Sequence, residues 1–137
     1  MVEQAVILCG GRGERLRPHT DSLPKAMVDV AGQPFLASIV EQLGEQGIER
    51  IVLCTGYLSG LISDYFGDGA QFGTNIVYSE GPESWTTGRR LVEARSMLDE
   101  RFVLMYSDNF AVVQLDSLLD QHLGSEATIT LSIVRKN

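Results

Sequence analysis

Short apolar runs alternate with amphipathic helical stretches along this chain, and this alternation restricts the fold more than any other feature. Strand-like apolar runs occupy residues 6–9, 51–54, 75–78, 102–106 and 127–134. Helical spacing of apolar residues marks the stretches between them, which are 35–43, 58–66, 91–98 and 115–123. Strands that alternate with helices form βαβ units, whose strands run parallel. The sequence therefore predicts an α/β domain with a mainly parallel sheet.

Glycines and a threonine pair mark the ends of three of these helices. The first helix is expected to stop near residues 44–47 and the second at 67–69, because both segments are rich in glycine. Thr86 or Thr87 is expected to cap the third helix, which carries Leu91, Ala94 and Leu98 on one face.

The size and charge of the chain exclude several classes of protein. Its 137 residues suit one domain, and no apolar run exceeds five residues, whereas a membrane helix needs about twenty. Residues 1–4 carry no basic side chain, so a secretory signal is not expected. The net charge of −7 argues against long nucleic acids, whose backbone is bound through many Lys and Arg contacts. We expect neither a membrane nor a long nucleic acid as a partner.

The two cysteines indicate the compartment more than they indicate a site. Cys9 and Cys54 both lie in strand-like apolar runs. Two cysteines cannot form a zinc site by themselves, and buried thiols are the simpler interpretation. Free buried thiols fit a reducing compartment, and we therefore expect a cytoplasmic protein.

The loop after the first strand-like run combines glycines with arginines. Gly10, Gly11 and Gly13 allow backbone N–H groups to approach an anion closely, and the arginines supply charge-assisted hydrogen bonds. Residues 1–25 hold four basic and three acidic side chains, a net charge of +1 in an acidic chain. A phosphate-binding loop and an ordinary glycine-rich turn with surface arginines both fit this pattern.

Two common phosphate-binding motifs do not fit the spacing of this loop. A dinucleotide fingerprint counted from Gly11 needs a third glycine where Leu16 stands, and a P-loop needs a Gly-Lys pair that is absent. Lys25 instead follows Pro24, whose ring stiffens the backbone and can present the lysine toward the same loop. A solvated loop lysine is the alternative.

The segment from Gly10 to Val28 resembles the signature of the sugar-1-phosphate nucleotidyltransferases, also called NDP-sugar pyrophosphorylases. That signature reads Gly-Gly-x-Gly-x-Arg-Leu-x-Pro-x-Thr, then Pro-Lys and a short apolar stretch, and residues 10–20 and 24–28 match nearly every fixed position. Residues 31–34, 47–48 and 65–73 are further likenesses. The chain most resembles guanylyltransferases for mannose- or heptose-1-phosphate and uridylyltransferases for N-acetylmuramate-1-phosphate.

The resemblance implies a Rossmann-like, mainly parallel sheet with helices on both faces. It also implies transfer of a nucleotidyl group from a nucleoside triphosphate to a sugar 1-phosphate, which gives an NDP-sugar and pyrophosphate. The triphosphate would be GTP, UTP, dTTP or CTP, and the sequence leaves both the base and the sugar open.

The resemblance also implies roles for individual residues. Arg15 and Lys25 would be catalytic: Arg15 would bind the β- and γ-phosphates, and Lys25 would stabilise the charge that develops around the α-phosphate. The backbone of the three loop glycines would hold the nucleotide, with Leu8 near the base.

Asp108 follows the fourth strand-like run. An aspartate at the carboxyl end of a parallel strand is well placed to hold Mg²⁺ against phosphates, although spacing alone also fits a turn or cap residue. The family has an aspartate here, usually after a glycine that Ser107 replaces. The resemblance therefore implies Mg²⁺ as the cofactor and Asp108 as its ligand.

Residues 85–90 depart from the family pattern. Relatives usually have Gly-Thr-Gly or Gly-Thr-Ala and then small residues, in a loop that reads the base. Thr87 and Gly88 match and are the expected nucleotide contacts, whereas Thr86, Arg89 and Arg90 replace small residues. We expect both arginines to point to solvent from the start of a helix, and contact with an anionic substrate is the alternative.

Family members run considerably further than this chain. Their later Glu-Lys-Pro-type motif and second acidic metal ligand have no counterpart here. We therefore expect residues 1–137 to be the N-terminal, nucleotide-binding part of the domain, without the sugar-binding remainder and with little activity alone. An uncovered apolar face would favour a homo-oligomer. A non-catalytic nucleotide-binding relative with a regulatory role is the alternative function.

Overall fold

A computed structural model describes residues 1–133 and 135. Its strands, in chain order, are β1 (Gln4–Cys9), β2 (Asp29–Val30), β3 (Gln33–Pro34), β4 (Arg50–Thr55), β5 (Asn75–Glu80) and β6 (Val103–Tyr106). Its α-helices are α1 (Phe35–Glu45), α2 (Ser59–Phe66), α3 (Thr87–Glu93) and α4 (Leu115–Leu123). Strands and helices thus follow one another much as the apolar pattern predicts.

Four strands form the central sheet in the order β5-β4-β1-β6, and every neighbouring pair is parallel. The connections from β1 to β4 and from β4 to β5 run in one direction across the sheet, while the connection from β5 to β6 returns past β1. Right-handed crossovers then place α1 and α2 on one face and α3 on the other. The prediction of a Rossmann-like parallel sheet with helices on both faces is confirmed.

β1 lies in the middle of the sheet and every one of its side chains is buried. Ala5 and Ile7 face the core formed with α1 and α2, whereas Val6 and Leu8 pack on the opposite face with Ala94. A strand covered on both faces favours apolar residues at successive positions, which explains the apolar run at residues 5–9.

Three predicted helices have nearly the predicted bounds, and the third is shorter. α3 ends at Glu93, so Leu98 lies beyond it, after a 3-10 turn at Arg95–Met97. Thr86 caps α3, because its hydroxyl accepts a hydrogen bond from the Arg89 N–H. No helix in the described part of the chain is long and apolar enough to cross a bilayer.

β2 and β3 form a short antiparallel hairpin that the sequence pattern did not predict. Ala31 and Gly32, the two turn residues, have φ values of 56° and 92°. A two-residue hairpin turn of this hand needs positive φ at both positions, and alanine rarely adopts it. The Gly32 N–H donates to Asp29 Oδ1 at 3.1 Å and closes the turn.

The predicted strand at 127–134 is wrong in the part that the structure describes. Residues 127–133 form no strand, and Ile129, Leu131 and Ile133 are 73%, 75% and 86% exposed. An alternating pattern becomes a strand only where a neighbour supplies hydrogen bonds, and no described strand pairs with the outer edge of β6. Val134 lies outside the described residues.

One face of β6 is open. Leu104 and Tyr106 are 43% and 51% exposed. They pair with Val6 and Leu8 on the face that α3 covers further along the sheet. The helix reaches β1 and β4 but not β6, which leaves apolar surface beside the carboxyl end of the sheet.

Candidate functional site

The carboxyl ends of the four parallel strands meet at one edge of the sheet. The register aligns Cys9 with Thr55 and Thr55 with Glu80, and it aligns Leu8 with Tyr106. The loops that follow these residues therefore share one edge. Ligands of open α/β sheets bind at this edge, near the point where neighbouring connections leave on opposite faces.

Gly13 sets the shape of the loop after β1. Its φ of 69° is left-handed, and it precedes the 3-10 turn Glu14–Leu16. The Leu16 N–H and the Thr20 hydroxyl both donate to the Gly13 carbonyl, at 3.0 and 2.8 Å. A Cβ at position 13 would lie 2.7 Å from Lys25 Cβ. Glycine at this position therefore lets the loop and Lys25 approach each other.

The other loop glycines differ from Gly13 and from each other. Gly10 is buried and Gly11 is exposed, and neither has a positive φ. A Cβ at Gly11 would have no atom within 4 Å, so open space adjoins the backbone there. The Arg90 side chain thus packs against Gly10, whereas the backbone at Gly11 borders open space that a ligand can enter.

Tyr57 fastens this loop to the end of β4. Its backbone N–H donates to the Gly10 carbonyl at 3.2 Å, and its hydroxyl donates to the Thr20 carbonyl at 2.9 Å. The Arg12 guanidinium lies 4.9 Å from the centre of the tyrosine ring and 3.6 Å from a Glu83 carboxylate oxygen. Arg12 is therefore engaged by the protein itself.

Arg15 differs from the other loop arginines. Its side chain is exposed, and no described residue forms an ion pair or a side-chain hydrogen bond with it. Arg17, two residues later, pairs with Glu14 at 3.9 Å and with Asp21 at 3.5 Å. Arg15 is thus the loop arginine that is available to an anionic ligand.

Lys25 and Asp108 form an ion pair across the site. Lys25 Nζ donates to Asp108 Oδ2 at 3.0 Å, and the two side chains are 35% and 41% exposed. Pro24 is buried and extended before the lysine, and the Ser107 N–H donates to the Leu8 carbonyl before the aspartate. Two predicted site residues therefore meet at the carboxyl edge of the sheet. An exposed pair of this kind contributes little to stability and exchanges partners readily.

Leu8 is the last but one residue of β1 and pairs with Tyr106 of β6. It is only 7% exposed and packs on the sheet face that α3 covers. Its carbonyl is already used by Ser107. Contact between Leu8 and a nucleotide base stays a prediction.

The structure contradicts the expectation that Arg90 points to solvent. Arg90 is 5% exposed, and its guanidinium donates to the carbonyls of Thr55, Gly10, Pro82 and Glu83 at 2.8, 3.5, 2.8 and 3.3 Å. The physical reason is its position on α3. It precedes the buried Ala94 by one helical turn, so it lies on the buried face of the helix.

Arg89 does point to solvent, as predicted. Its side chain is 57% exposed, pairs with Glu93 and lies 5.6 Å from the centre of the Trp85 ring. Trp85 packs against Gly81, where a Cβ would lie 2.1 Å from the indole. Thr87 and Gly88 are exposed at the start of α3. Their contact with a nucleotide stays a prediction.

Both cysteines are buried, as predicted, at 3% exposure for Cys9 and 0% for Cys54. Burial raises the pKa of Cys9 well above its usual range, and it raises the pKa of Cys54 to about 11. The nearby Arg90 charge opposes this effect at both thiols. Neither thiol is a nucleophile or a metal ligand in this state.

The donors at this edge suit a magnesium ion held mainly by its substrate. Within the described residues, no three His, Cys, Asp or Glu side chains group closely enough to hold a metal alone. Asp108 is a single exposed carboxylate, and Mg²⁺ at nucleotide sites is commonly held by one or two carboxylates together with phosphates. The site therefore fits Mg²⁺ brought by a phosphate ligand and does not fit a structural metal.

The sequence does not predict two features of this edge. One is the contact of Tyr57 with the loop after β1, and the other is the burial of Arg90. The four-residue spacing from Arg90 to Ala94 was the available signal, since residues at that spacing share a helix face. No sequence signal identified Tyr57, because its contacts depend on how two loops from different strands approach each other.

Comparisons with known proteins identify the family of this chain. Residues 4–137 match the family model described as Nucleotidyl transferase. The chain is 36% identical over 131 residues to a D-glycero-α-D-manno-heptose 1-phosphate guanylyltransferase of Aneurinibacillus thermoaerophilus, covering 95% of this chain and 56% of that protein. It is 37% identical over 117 residues to an N-acetylmuramate α-1-phosphate uridylyltransferase of Neisseria meningitidis, covering 85% and 48%.

A solved structure shows the same fold. HddC from Yersinia pseudotuberculosis, complexed with GMP-PN, superposes with a TM-score of 0.80 at 28% identity. The match covers 89% of this chain and 55% of HddC, so the chain spans about half the length of the relatives it matches. The resemblance seen in the glycine loop is thus confirmed over nearly the whole chain, which belongs to the nucleotidyl transferase family.

Proposed function

We propose that this chain is the nucleotide-binding part of a sugar-1-phosphate nucleotidyltransferase. An oxygen of the sugar 1-phosphate attacks the α-phosphorus of a nucleoside triphosphate and forms a new P–O bond. The bond from the α-phosphorus to the oxygen shared with the β-phosphate breaks, and pyrophosphate leaves. The observation that carries the proposal is the Lys25–Asp108 pair beside the glycine loop at the carboxyl edge of the sheet, in a chain of this family.

The two reactants are both polyanions, so their union depends on positioning and on neutralised charge. Arg15 is proposed to bind the β- and γ-phosphates, because its exposed guanidinium has no protein partner among the described residues. Lys25 is proposed to stabilise charge around the α-phosphate. The backbone at Gly10, Gly11 and Gly13 is proposed to hold the nucleotide.

Mg²⁺ is the proposed cofactor, and Asp108 is its proposed ligand. When bound, this ion neutralises negative charge on the phosphates. Asp108 accepts a hydrogen bond from Lys25 in this structure. If a cation binds the Asp108 carboxylate, Lys25 would exchange Asp108 for phosphate oxygens.

The base is proposed to lie between Leu8 and the start of α3, where Thr87 and Gly88 are exposed. Relatives of this chain are named as guanylyl-, uridylyl- and thymidylyltransferases. The proposed triphosphate is accordingly GTP, UTP, dTTP or CTP. The departures at Thr86, Arg89 and Arg90 keep the choice among them open.

Residues 1–137 are proposed to hold the triphosphate, with the sugar-phosphate pocket in a further segment, because the relatives are about twice as long. Turnover by this chain alone is then expected to be very slow.

A cytoplasmic location is proposed from the free buried thiols. A homo-oligomer is proposed from the open face of β6, where Leu104 and Tyr106 are exposed.

A thermal-shift panel with Mg²⁺ tests the proposal. Binding to the native state raises the melting temperature, and a ligand at a hundred times its Kd stabilises by about 2.7 kcal/mol. We expect at least one of GTP, UTP, dTTP and CTP, and the matching NDP-sugar, to raise it. NADH is expected to have no effect.

A panel in which no triphosphate shifts the transition would contradict the proposal, as would a response to NADH alone. Pyrophosphate release on addition of sugar 1-phosphates separates a slow enzyme from a non-catalytic binder, because only the enzyme releases it.

A further inference from the structure

Arg90 occupies an unusual position for a surface-type residue. It lies in α3 with 5% of its surface exposed. Its guanidinium reaches the carboxyl ends of three strands. Gly10 follows β1, Thr55 ends β4, and Pro82 and Glu83 follow β5, and Arg90 donates to a carbonyl of each.

These contacts join the two loops that the proposed function assigns to the nucleotide. The loop after β1 holds the phosphates, and the segment 81–88 leads to Thr87 and Gly88 at the proposed base site. Arg90 Nη2 donates to Pro82 at 2.8 Å and to Gly10 at 3.5 Å, so one nitrogen bridges both loops. The guanidinium is therefore a buried tie between the two loops, beside the exposed Arg12–Glu83 ion pair at 3.6 Å.

Two glycines make room for the guanidinium. A Cβ at Gly10 would lie 2.2 Å from Arg90 Cζ, and a Cβ at Gly56 would lie 2.6 Å from Arg90 Nη2. Neither glycine has a positive φ, so backbone conformation does not require glycine there. Gly10, Gly56 and Arg90 thus form one packed unit, which we name the arginine floor.

The positive charge of the arginine floor is not neutralised by the protein. None of the ion pairs within residues 1–133 includes Arg90, whose partners are backbone carbonyls. A buried cation without a carboxylate produces a field that water screens poorly. The field is felt at the ends of β1 and β4, where it opposes the effect of burial on the pKa of Cys9 and Cys54.

We propose that Arg90 is a positioning residue for the nucleotide, which fixes the spacing of the two loops and supplies positive charge beneath the triphosphate. This inference rests on the proposed function.

Two variants separate the charge from the bridge. Arg90→Gln removes the charge and keeps an amide donor, whereas Arg90→Lys keeps the charge and loses the planar fork. Both variants disturb the loop spacing, so both are expected to bind the nucleoside more weakly than the wild type and to similar extents. Only Arg90→Gln loses the field, so its triphosphate affinity is expected to fall about tenfold below that of Arg90→Lys.

Calorimetry with the Mg²⁺ complexes of the four triphosphates and with their nucleosides measures both effects, below the melting temperature of each variant. Arg89→Gln is the matched control, because Arg89 is the exposed neighbour on the same helix. The control is expected to retain wild-type affinity for both ligands. The difference between Gln and Lys at position 90 is expected to shrink at high salt.

Equal triphosphate affinities for the Gln and Lys variants would overturn the inference, as would wild-type affinity in both. If Arg90→Gln does not fold, Arg90→Lys decides alone: it is expected to lose nucleoside and triphosphate affinity by the same factor, because it keeps the charge and loses only the bridge, and a triphosphate loss about tenfold beyond the nucleoside loss, or wild-type affinity for both ligands, overturns the inference. If the wild type binds no triphosphate, the proposed function itself fails. Wild-type binding with unaffected Arg90 variants contradicts only this inference.

Discussion

Arg90 and Lys25 are two cations at the same edge of one sheet, and the protein holds them in opposite ways. Arg90 is buried, with all its partners on the backbone of loops after three different strands. Lys25 is about a third exposed and its partner is one exposed carboxylate, Asp108. A cation bound by backbone carbonyls fixes structure, because moving it breaks several charge-assisted hydrogen bonds at once. A cation bound by an exposed carboxylate can change partners during a reaction at little cost.

Removal of the two cations is the strongest test of this difference. We expect Arg90→Met to lower the free energy of unfolding by about 2–4 kcal/mol, because several hydrogen bonds from a charged, buried donor are lost together. We expect Lys25→Met to lower it by less than about 1 kcal/mol. Urea unfolding of both variants measures the contrast, and equal losses would show that the two cations play the same structural role.

The loop arginines allow the second test. Arg15→Ala is expected to cost about 1.5–3 kcal/mol of triphosphate binding, or roughly tenfold to a hundredfold in Kd. Arg17→Ala is the control, since Arg17 already pairs with Glu14 and Asp21. Its effect is expected to stay below about threefold. Calorimetry showing unchanged binding for Arg15→Ala would remove this residue from the site.

The glycines of the loop form a matched pair for the third test. Gly13→Ala is expected to destabilise by about 1–2 kcal/mol, because an L-residue is strained at its φ of 69° and its Cβ meets Lys25. Gly11→Ala is expected to change stability by less than about 0.5 kcal/mol, since nothing lies within reach of its Cβ. Melting temperatures measure both, and a reversed order would contradict the described loop.

Asp108→Asn is expected to have a small effect on stability and a selective effect on Mg²⁺ binding. The change keeps the shape but removes the charge that Mg²⁺ prefers, so the Mg²⁺ requirement for triphosphate binding is expected to rise by about tenfold. The melting temperature without ligand is expected to change little, because the carboxylate is exposed. A variant with the wild-type Mg²⁺ dependence would return Asp108 to the role of a turn residue.

The sheet was predictable from sequence because burial on both faces leaves an unbroken apolar run, as in β1 and β4. The same reasoning failed at 127–133, where apolar residues alternate but no described strand offers a partner. A periodic pattern reports which face of a strand is apolar, and it does not report whether a neighbouring strand exists.

The site was predictable only in part. Lys25 and Asp108 were each expected at the carboxyl edge, but their contact joins residues 83 positions apart and follows from the sheet topology. The sequence predicts an exposed Arg90 if its charge is considered alone, whereas its position on the buried face of α3 places it inside the protein. Charge usually decides exposure, but here the carbonyls at three strand ends supply the partners that a buried guanidinium needs.

A two-dimensional ¹⁵N NMR titration with Mg²⁺ and each of the four triphosphates tests the central claim most directly. The account predicts that at least one triphosphate shifts the amide signals of Gly11, Gly13 and Gly88. Gly47 and Gly73, which precede β4 and β5 at the opposite edge of the sheet, are expected to stay unchanged. Shifts confined to Gly47 and Gly73, or none with any triphosphate, would contradict the account.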